Sequence, residues 1–284
     1  MILGVELTAV FYGLAAAASW GAGDFSGGVA TKRSHVYLVV LLSHIVGIAG
    51  LLLLILLFGE PFPSWRDVGI GALGGISGAI GVLALYTGLA QGRMGVVAPL
   101  TAVITAIVPV LFGSFLEGLP QLHQLAGFIV ALLAVWLISG DNGGGPVGLR
   151  WCDLRLPTVA GLGFGLFFIF IDHVSDKAIL WPLVGARAAS IFMMAVLVIL
   201  TRQRQRPART QSGWIMLAGV FDVGGNAFFA LATSLGRLDV ASVLSSLYPV
   251  TTVLLARFIL DEHLSRRQGA GVAAALAALL LITA

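Results

Sequence analysis

The chain has 284 residues, of which 58% are apolar and 37 are glycine, while 16 Lys and Arg and 13 Asp and Glu make only 10% charged. A soluble domain carries about 25% charge, so this composition argues against a soluble enzyme or a nucleic-acid binder. One cysteine, Cys152, excludes an intrachain disulfide and a thiolate metal cluster. With lysine confined to Lys32 and Lys177 and no G-x4-G-K-[ST] phosphate loop, no ATP motor and no cofactor are expected. The formal net charge of +3 is read as charge stationed at membrane edges.

A spanning helix needs about 20 largely apolar residues, and ten such windows occur. The first, 7–30, carries Trp20 one turn before Asp24 on the same face. It lacks a basic leader and reads as a retained helix. Its Gly21-Ala22-Gly23-Asp24 matches the G-x-G-D signature of intramembrane aspartyl proteases. The second, 36–58, carries His44. The third, 67–91, holds Tyr86 and a G-x-G-x-x-G run from Gly69 to Gly74. No strand precedes that run, so it is not a dinucleotide site, and the spacings Gly71 to Gly75 and Gly74 to Gly78 favour close helix packing. The fourth, 95–116, places Thr101 and Thr105 one turn apart, with Pro99 and Pro109 each freeing a backbone carbonyl.

After the fifth window, 121–140, residues 141–156 form a Gly-rich polar linker that divides the chain into 1–140 and 157–284. The sixth, 157–177, carries Asp172, and the seventh, 181–201, carries Arg187. A basic loop, 202–209, leads to the eighth, 213–235, where Asp222, Asn226 and Phe229 share one face near the midplane beside Gly224 and Gly225. The ninth, 240–260, aligns Ser245, Tyr248 and Thr252 around Pro249, and the tenth is 267–284. Backbone polar groups in lipid must bond internally, which predicts an all-α polytopic bundle of ten transmembrane helices.

The two halves repeat. A slide of 144 places Gly92-Arg93 on Gly236-Arg237, Leu100-Thr101 on Leu244-Ser245 and Gly127 on Gly271; one residue of slack brings Glu117 to Glu262. A slide of 148 places Gly13-Leu14 on Gly161-Leu162 and Asp24 on Asp172. Five spans per half is odd, so the second copy is expected upside down, the plan of two inverted five-helix repeats found in secondary transporters.

The stretch Gly92-Arg93-Met94-Gly95-Val96-Val97-Ala98-Pro99-Leu100-Thr101 and its counterpart from Gly236 to Ala256 resemble the drug/metabolite transporter superfamily, EamA type. So does Leu260-Asp261-Glu262-His263-Leu264 at the end of the second copy, whereas Phe115-Leu116-Glu117 in the first is one residue short. The resemblance implies a ten-helix carrier that exports or exchanges small metabolites, with a central cavity lined by helices one, three, four, six, eight and nine.

Orientation is read two ways. Lys and Arg crowd the loops after odd-numbered spans, which places both termini outside under the positive-inside rule, whereas the resemblance implies both termini inside.

Charges within spans need a partner or a purpose. Tight hairpins would bring Asp24 to the depth of His44 and Asp172 to that of Arg187. Each pair either neutralises itself and pins its hairpin, or, at Asp24, exchanges a proton or binds a cationic group with His44 tuning it. Asp222 and Asn226 form either a third polar site or an interhelical clamp. The candidate substrate or coupling residues are therefore Trp20, Asp24, His44, Tyr86, Thr101, Asp172, Asp222, Asn226 and Tyr248, with Arg187 as a structural charge partner and no metal. The expected function is non-enzymatic: a multi-pass secondary transporter of the plasma (inner) membrane, proton-coupled through Asp24. Its substrate would be an amino acid, amine or neutral metabolite. The lipid bilayer is its surroundings, nucleic acid is no partner, and a monomer and a homodimer are both compatible. A protease-like enzyme using Asp24 and Asp172, and a non-transporting scaffold, are the alternatives.

Overall fold

A computed structural model describes residues 2–31, 33–90, 94–139, 151–202, 209–259 and 265–283. The helices are α1 (Ile2–Thr31), α2 (Val36–Phe58), α3 (Trp65–Ala90), α4 (Met94–Glu117), α5 (Leu122–Ser139), α6 (Trp151–Ser175), α7 (Leu180–Leu200), α8 (Ser212–Leu235), α9 (Leu238–Ser245), α10 (Tyr248–Ile259) and α11 (Arg266–Thr283). A 3-10 turn at Arg209–Gln211 precedes α8, and there is no strand among the described residues. Six described segments are long and apolar enough to cross a membrane: Val36–Phe58, Trp65–Leu85, Leu154–Ser175, Leu180–Leu200, Arg209–Leu235 and Leu238–Ile259. Large apolar side chains face outward, with Leu56 82% and Phe115 90% exposed, as a lipid-facing surface requires.

Each predicted span overlaps a helix, and two differ in detail. The sixth helix begins at Trp151, inside the expected linker, and runs through Pro157; the rest of that linker, the centre of the basic loop, Arg93 and the Glu262 region lie outside the described residues. The ninth span is two helices, α9 and α10, interrupted at Ser246 and Leu247. Pro249 is the cause: it lacks an N–H, and its ring crowds the carbonyl four residues back, that of Ser245. Pro109 does not interrupt α4 in the same way.

Helix ends are capped locally. Gly59 closes α2 in the left-handed region (φ 64°), its N–H donating to the Ile55 carbonyl at 2.8 Å. Ser64 and Asp67 form a reciprocal cap on α3: the Asp67 N–H donates to Ser64 Oγ at 3.1 Å and that hydroxyl donates to Asp67 Oδ2 at 2.6 Å. On α5 and α11 a different cap, a backbone N–H closed by a glutamine three residues on, recurs at repeat-related positions. The Gln121 N–H donates to Gln124 Oε1, and the Ser265 N–H to Gln268 Oε1, both at 3.0 Å.

The halves interlock. α1 packs on α8 and α3 on α6; α2 packs on α7, α5 on α11, and α4 on both α6 and α9. Contacts between α2 and α7 run from His44–Ser190 to Gly47–Arg187, so these helices are antiparallel. α5 and α11 are antiparallel too, with Gly127 beside Ile282 and Trp136 beneath the Arg267 guanidinium, 4.2 Å from the ring centroid.

Lipid tails are as apolar as leucine, so close packing rather than hydrophobic gain holds such helices together. α3 is the example. Gly71 and Gly75 lie against the backbone of Pro182 and Ala186 on α7, where a Cβ would collide with the carbonyl oxygens. Gly74, Gly78 and Gly81 receive Phe170, Phe167 and Phe164 of α6. The G-x-G-x-x-G run is thus a packing surface. Gly21 and Gly23 serve α1 likewise, meeting Thr251 and the Tyr248 carbonyl on one side and α8 on the other.

Candidate functional site

Between the halves lies a cavity of about 150 Å³. α1 supplies Trp20 and Asp24, α2 His44, α4 Thr105, α7 Arg187 and Ser190, α8 Asp222 and Asn226, and α10 Tyr248. α3 lines it with Gly75, Gly78, Ala79, Val82 and Leu85, and α6 with Phe164, Phe167 and Phe168. All six spans expected from the resemblance take part, the ninth of them through α10, and α2 and α7 join them. The polar spans of the sequence therefore converge: six of the nine candidate residues line one space.

Its electrostatics are set by one ion pair. Arg187 extends from α7 to the Asp222 carboxylate on α8, with side chains 11% and 33% exposed. Asn226 donates from Nδ2 to the Asp222 carbonyl at 2.6 Å, one turn back on its own helix. Ser190 Oγ lies 3.0 Å from both His44 Nδ1 and the Arg187 carbonyl, tying α2 to α7. Asp24 has no hydrogen-bond or ion-pair partner among the described residues.

Trp20 forms the floor. Its ring stacks on Phe168 (centroids 5.4 Å apart, planes 11° apart), and Phe168 stacks on Phe229 at 4.2 Å. The indole fits where Gly225 has no side chain: a Cβ there would lie 2.6 Å from Trp20 Nε1.

A second space, about 1060 Å³, opens at the end of the bundle where α1 begins and α6 and α8 end. Glu6, His123, Asp172, Asp176, Thr233 and Arg237 are among its lining. On α8, Asn226 lines the cavity and Thr233 this vestibule, with buried Phe229 and Ala230 between them.

Several expectations are corrected. Arg187 pairs with Asp222 and not with Asp172, because Arg187 and Asp222 open into the same cavity whereas Asp172 lies at the vestibule. Asp172 lines the vestibule, so it shares no space with Asp24, and the two-aspartate arrangement of a protease does not form. Thr101 is wholly buried and does not line the cavity; Thr105, one turn on, does. Tyr248 lines it, whereas Ser245 and Thr252 donate to the α1 carbonyls of Gly13 (3.3 Å) and Gly21 (3.1 Å) as clamps. The Tyr86 side chain lies outside the described residues. Sequence reasoning missed Ser190, whose signal was its position one turn after Arg187, and the α6 phenylalanine stripe, whose i, i+3, i+4 spacing marks one helical face.

Comparison with known proteins gives three findings. Residues 7–140 and 156–284 each match the EamA-like transporter family. An uncharacterized protein of Methanocaldococcus jannaschii is 26% identical over 136 residues, which is 48% of this chain and 98% of that protein; the relative is thus about one repeat long. A crystal structure described only as that of a protein superposes with a TM-score of 0.81 at 18% identity, over 96% of this chain and 95% of its own.

Proposed function

The chain belongs to the EamA-like transporter family, a family of small-molecule membrane transporters, and on that premise we propose that it is a secondary active exporter or exchanger of a small organic metabolite. The ten spans form two inverted five-helix repeats that rock about the central cavity. The antiparallel contact of α2 with α7 and of α5 with α11, together with the matching Gln124 and Gln268 caps, supports the inversion. The observation that carries the transport reading is the cavity itself, which gathers Asp24, His44, Asp222 and Asn226 from three helices of both halves.

Proton coupling through Asp24 is part of the proposal. An intramembrane carboxylate without a partner is costly to keep charged, and it faces His44 from α2, Arg187 from α7, Asp222 from α8 and Tyr248 from α10. The plasma (inner) membrane is the proposed location. A substrate screen in proteoliposomes, with and without a pH gradient, tests the reading. Uptake should respond to the gradient in the native chain and lose that response in Asp24→Asn; full pH dependence in the variant would remove Asp24 from the mechanism.

A scaffold without transport would leave the cavity dry. In a Cys152→Ser background, Asn226→Cys should react with a small hydrophilic thiol reagent, and inertness would favour the scaffold.

A further inference from the structure

We propose that the cavity selects small organic monocations that carry one hydrogen-bonding substituent, with Asp24 reading the charge and Thr105 the substituent. This deepens the transport reading, on which it rests for the cavity being a substrate site.

The polar groups of the cavity divide into satisfied and unsatisfied. Arg187 and Asp222 hold each other, Asn226 gives one N–H to the Asp222 carbonyl, and Ser190 is tied to His44 and the Arg187 carbonyl. Two groups remain. Asp24 has no partner among the described residues. Thr105 is 4% exposed and lines the cavity, and its Oγ1 has no hydrogen-bond partner among the described residues. Buried polar atoms are nearly always paired, so an unpaired hydroxyl lining a cavity points to a partner that arrives with the ligand.

The charge count sets the sign. Two carboxylates face one guanidinium, and the guanidinium is already committed. An anion would meet Asp24 with no free cation to receive it, and a neutral solute would leave Asp24 unpaired in a confined space. A monocation matches. The walls favour the same class: Trp20, Phe164, Phe167, Phe168 and Tyr248 present the aromatic faces that bind ammonium groups. Size limits the choice, because a cavity of about 150 Å³ is of the order that holds benzene.

Three probes separate the two readouts. Choline carries charge and hydroxyl, 3,3-dimethyl-1-butanol is its uncharged isostere, and propyltrimethylammonium replaces the hydroxyl with methyl. Calorimetry on the purified full chain should give the order choline, propyltrimethylammonium, dimethylbutanol, the charge being worth about tenfold or more. Asp24→Asn should abolish the preference for charge. Thr105→Val should bring choline to the level of propyltrimethylammonium and leave the latter within about twofold, as loss of one hydrogen bond implies. Equal binding of choline and dimethylbutanol by the native chain, or binding of none of the three, overturns the proposal without recourse to any variant. Retention of charge preference in a folded Asp24→Asn protein overturns the role of Asp24. Choline binding without flux in proteoliposomes would leave this assignment standing and remove the transport reading; flux of the neutral probe without choline binding would do the reverse.

Discussion

Arg187 and Asp222 join α7 to α8 through a single ion pair at the cavity wall, with the arginine the more deeply enclosed of the two. A buried pair that loses one member leaves the other charge stranded, at a cost of about 3–5 kcal/mol when burial is complete. Asp222 is 33% exposed, so the cost here should be smaller. Asp222→Ala should lower the melting temperature in detergent, because Arg187 is left unpaired. Arg187→Gln combined with Asp222→Asn should recover most of the loss, since neither charge then remains. A double variant no more stable than the single one would mean the pair does not hold the helices.

The ion pair also shows where the sequence stops being legible. Periodicity and apolar length located the helices, and composition located the costly polar residues within them. Hairpin geometry then paired Asp172 with Arg187, on the assumption that neighbours in sequence are neighbours in space. In this bundle the halves interlock, so α7 packs on α2 and α3 and reaches α8 through the Arg187 side chain. Nothing in a single chain's periodicity encodes which glycine stripe meets which helix. Asp24 and His44 do share the cavity, although α1 and α2 touch little; both reach it through contacts with the other half. Thr101 and Thr105 were readable as one face, but which of them reaches the cavity depends on Gly161, whose absent side chain lets α6 press against Ile104 and the Thr101 carbonyl.

Glu60, in the loop between α2 and α3, caps a helix of the opposite half. Its carboxylate accepts the backbone N–H groups of Ile179, Leu180 and Trp181 at 2.9–3.1 Å, and its carbonyl accepts Trp181 Nε1 at 3.1 Å. Those are otherwise orphan donors of the first turn of α7, where the helix dipole also favours an anion. Glu60→Ala should therefore destabilise by about 1–3 kcal/mol, and Glu60→Gln by less, because an amide oxygen keeps one acceptor. Thermal unfolding in detergent measures both. Equal stability of Glu60→Ala and the native chain would show that water replaces the cap.

Two glycines of similar sequence setting should respond oppositely to alanine. At Gly75 a Cβ would run into the Ala186 backbone, and no side-chain rotation can relieve a clash with backbone. Overpacking costs about 1–3 kcal/mol, and α3 would have to part from α7 across the cavity wall. Gly50 on α2 has nothing within 4 Å, so alanine there should be neutral or stabilise by up to about 1 kcal/mol through helix propensity. Gly75→Ala should lower both the melting temperature and the transport rate, while Gly50→Ala leaves transport unchanged. A neutral Gly75→Ala would show that α3 and α7 separate freely.

The Trp20, Phe168 and Phe229 stack lies between the cavity and the vestibule. On α8, Asn226 faces one space and Thr233 the other, and the fully buried Phe229 ring fills the turn between them. Its removal should connect the two spaces more than it unfolds the bundle, since the ring's partners are themselves cavity residues. Phenylalanine to alanine in a core costs about 3–5 kcal/mol, so Phe229→Leu is the safer variant, and the pair can be graded. In a Cys152→Ser background, Thr233→Cys should react with a membrane-impermeant thiol reagent applied from the vestibule side. Thr105→Cys should react slowly from that side. Phe229→Leu should speed that reaction, and Phe229→Ala should speed it further, with Thr233→Cys unaffected. If Thr105→Cys already reacts as fast as Thr233→Cys with Phe229 in place, the aromatic stack is not a barrier and solute passes by another route.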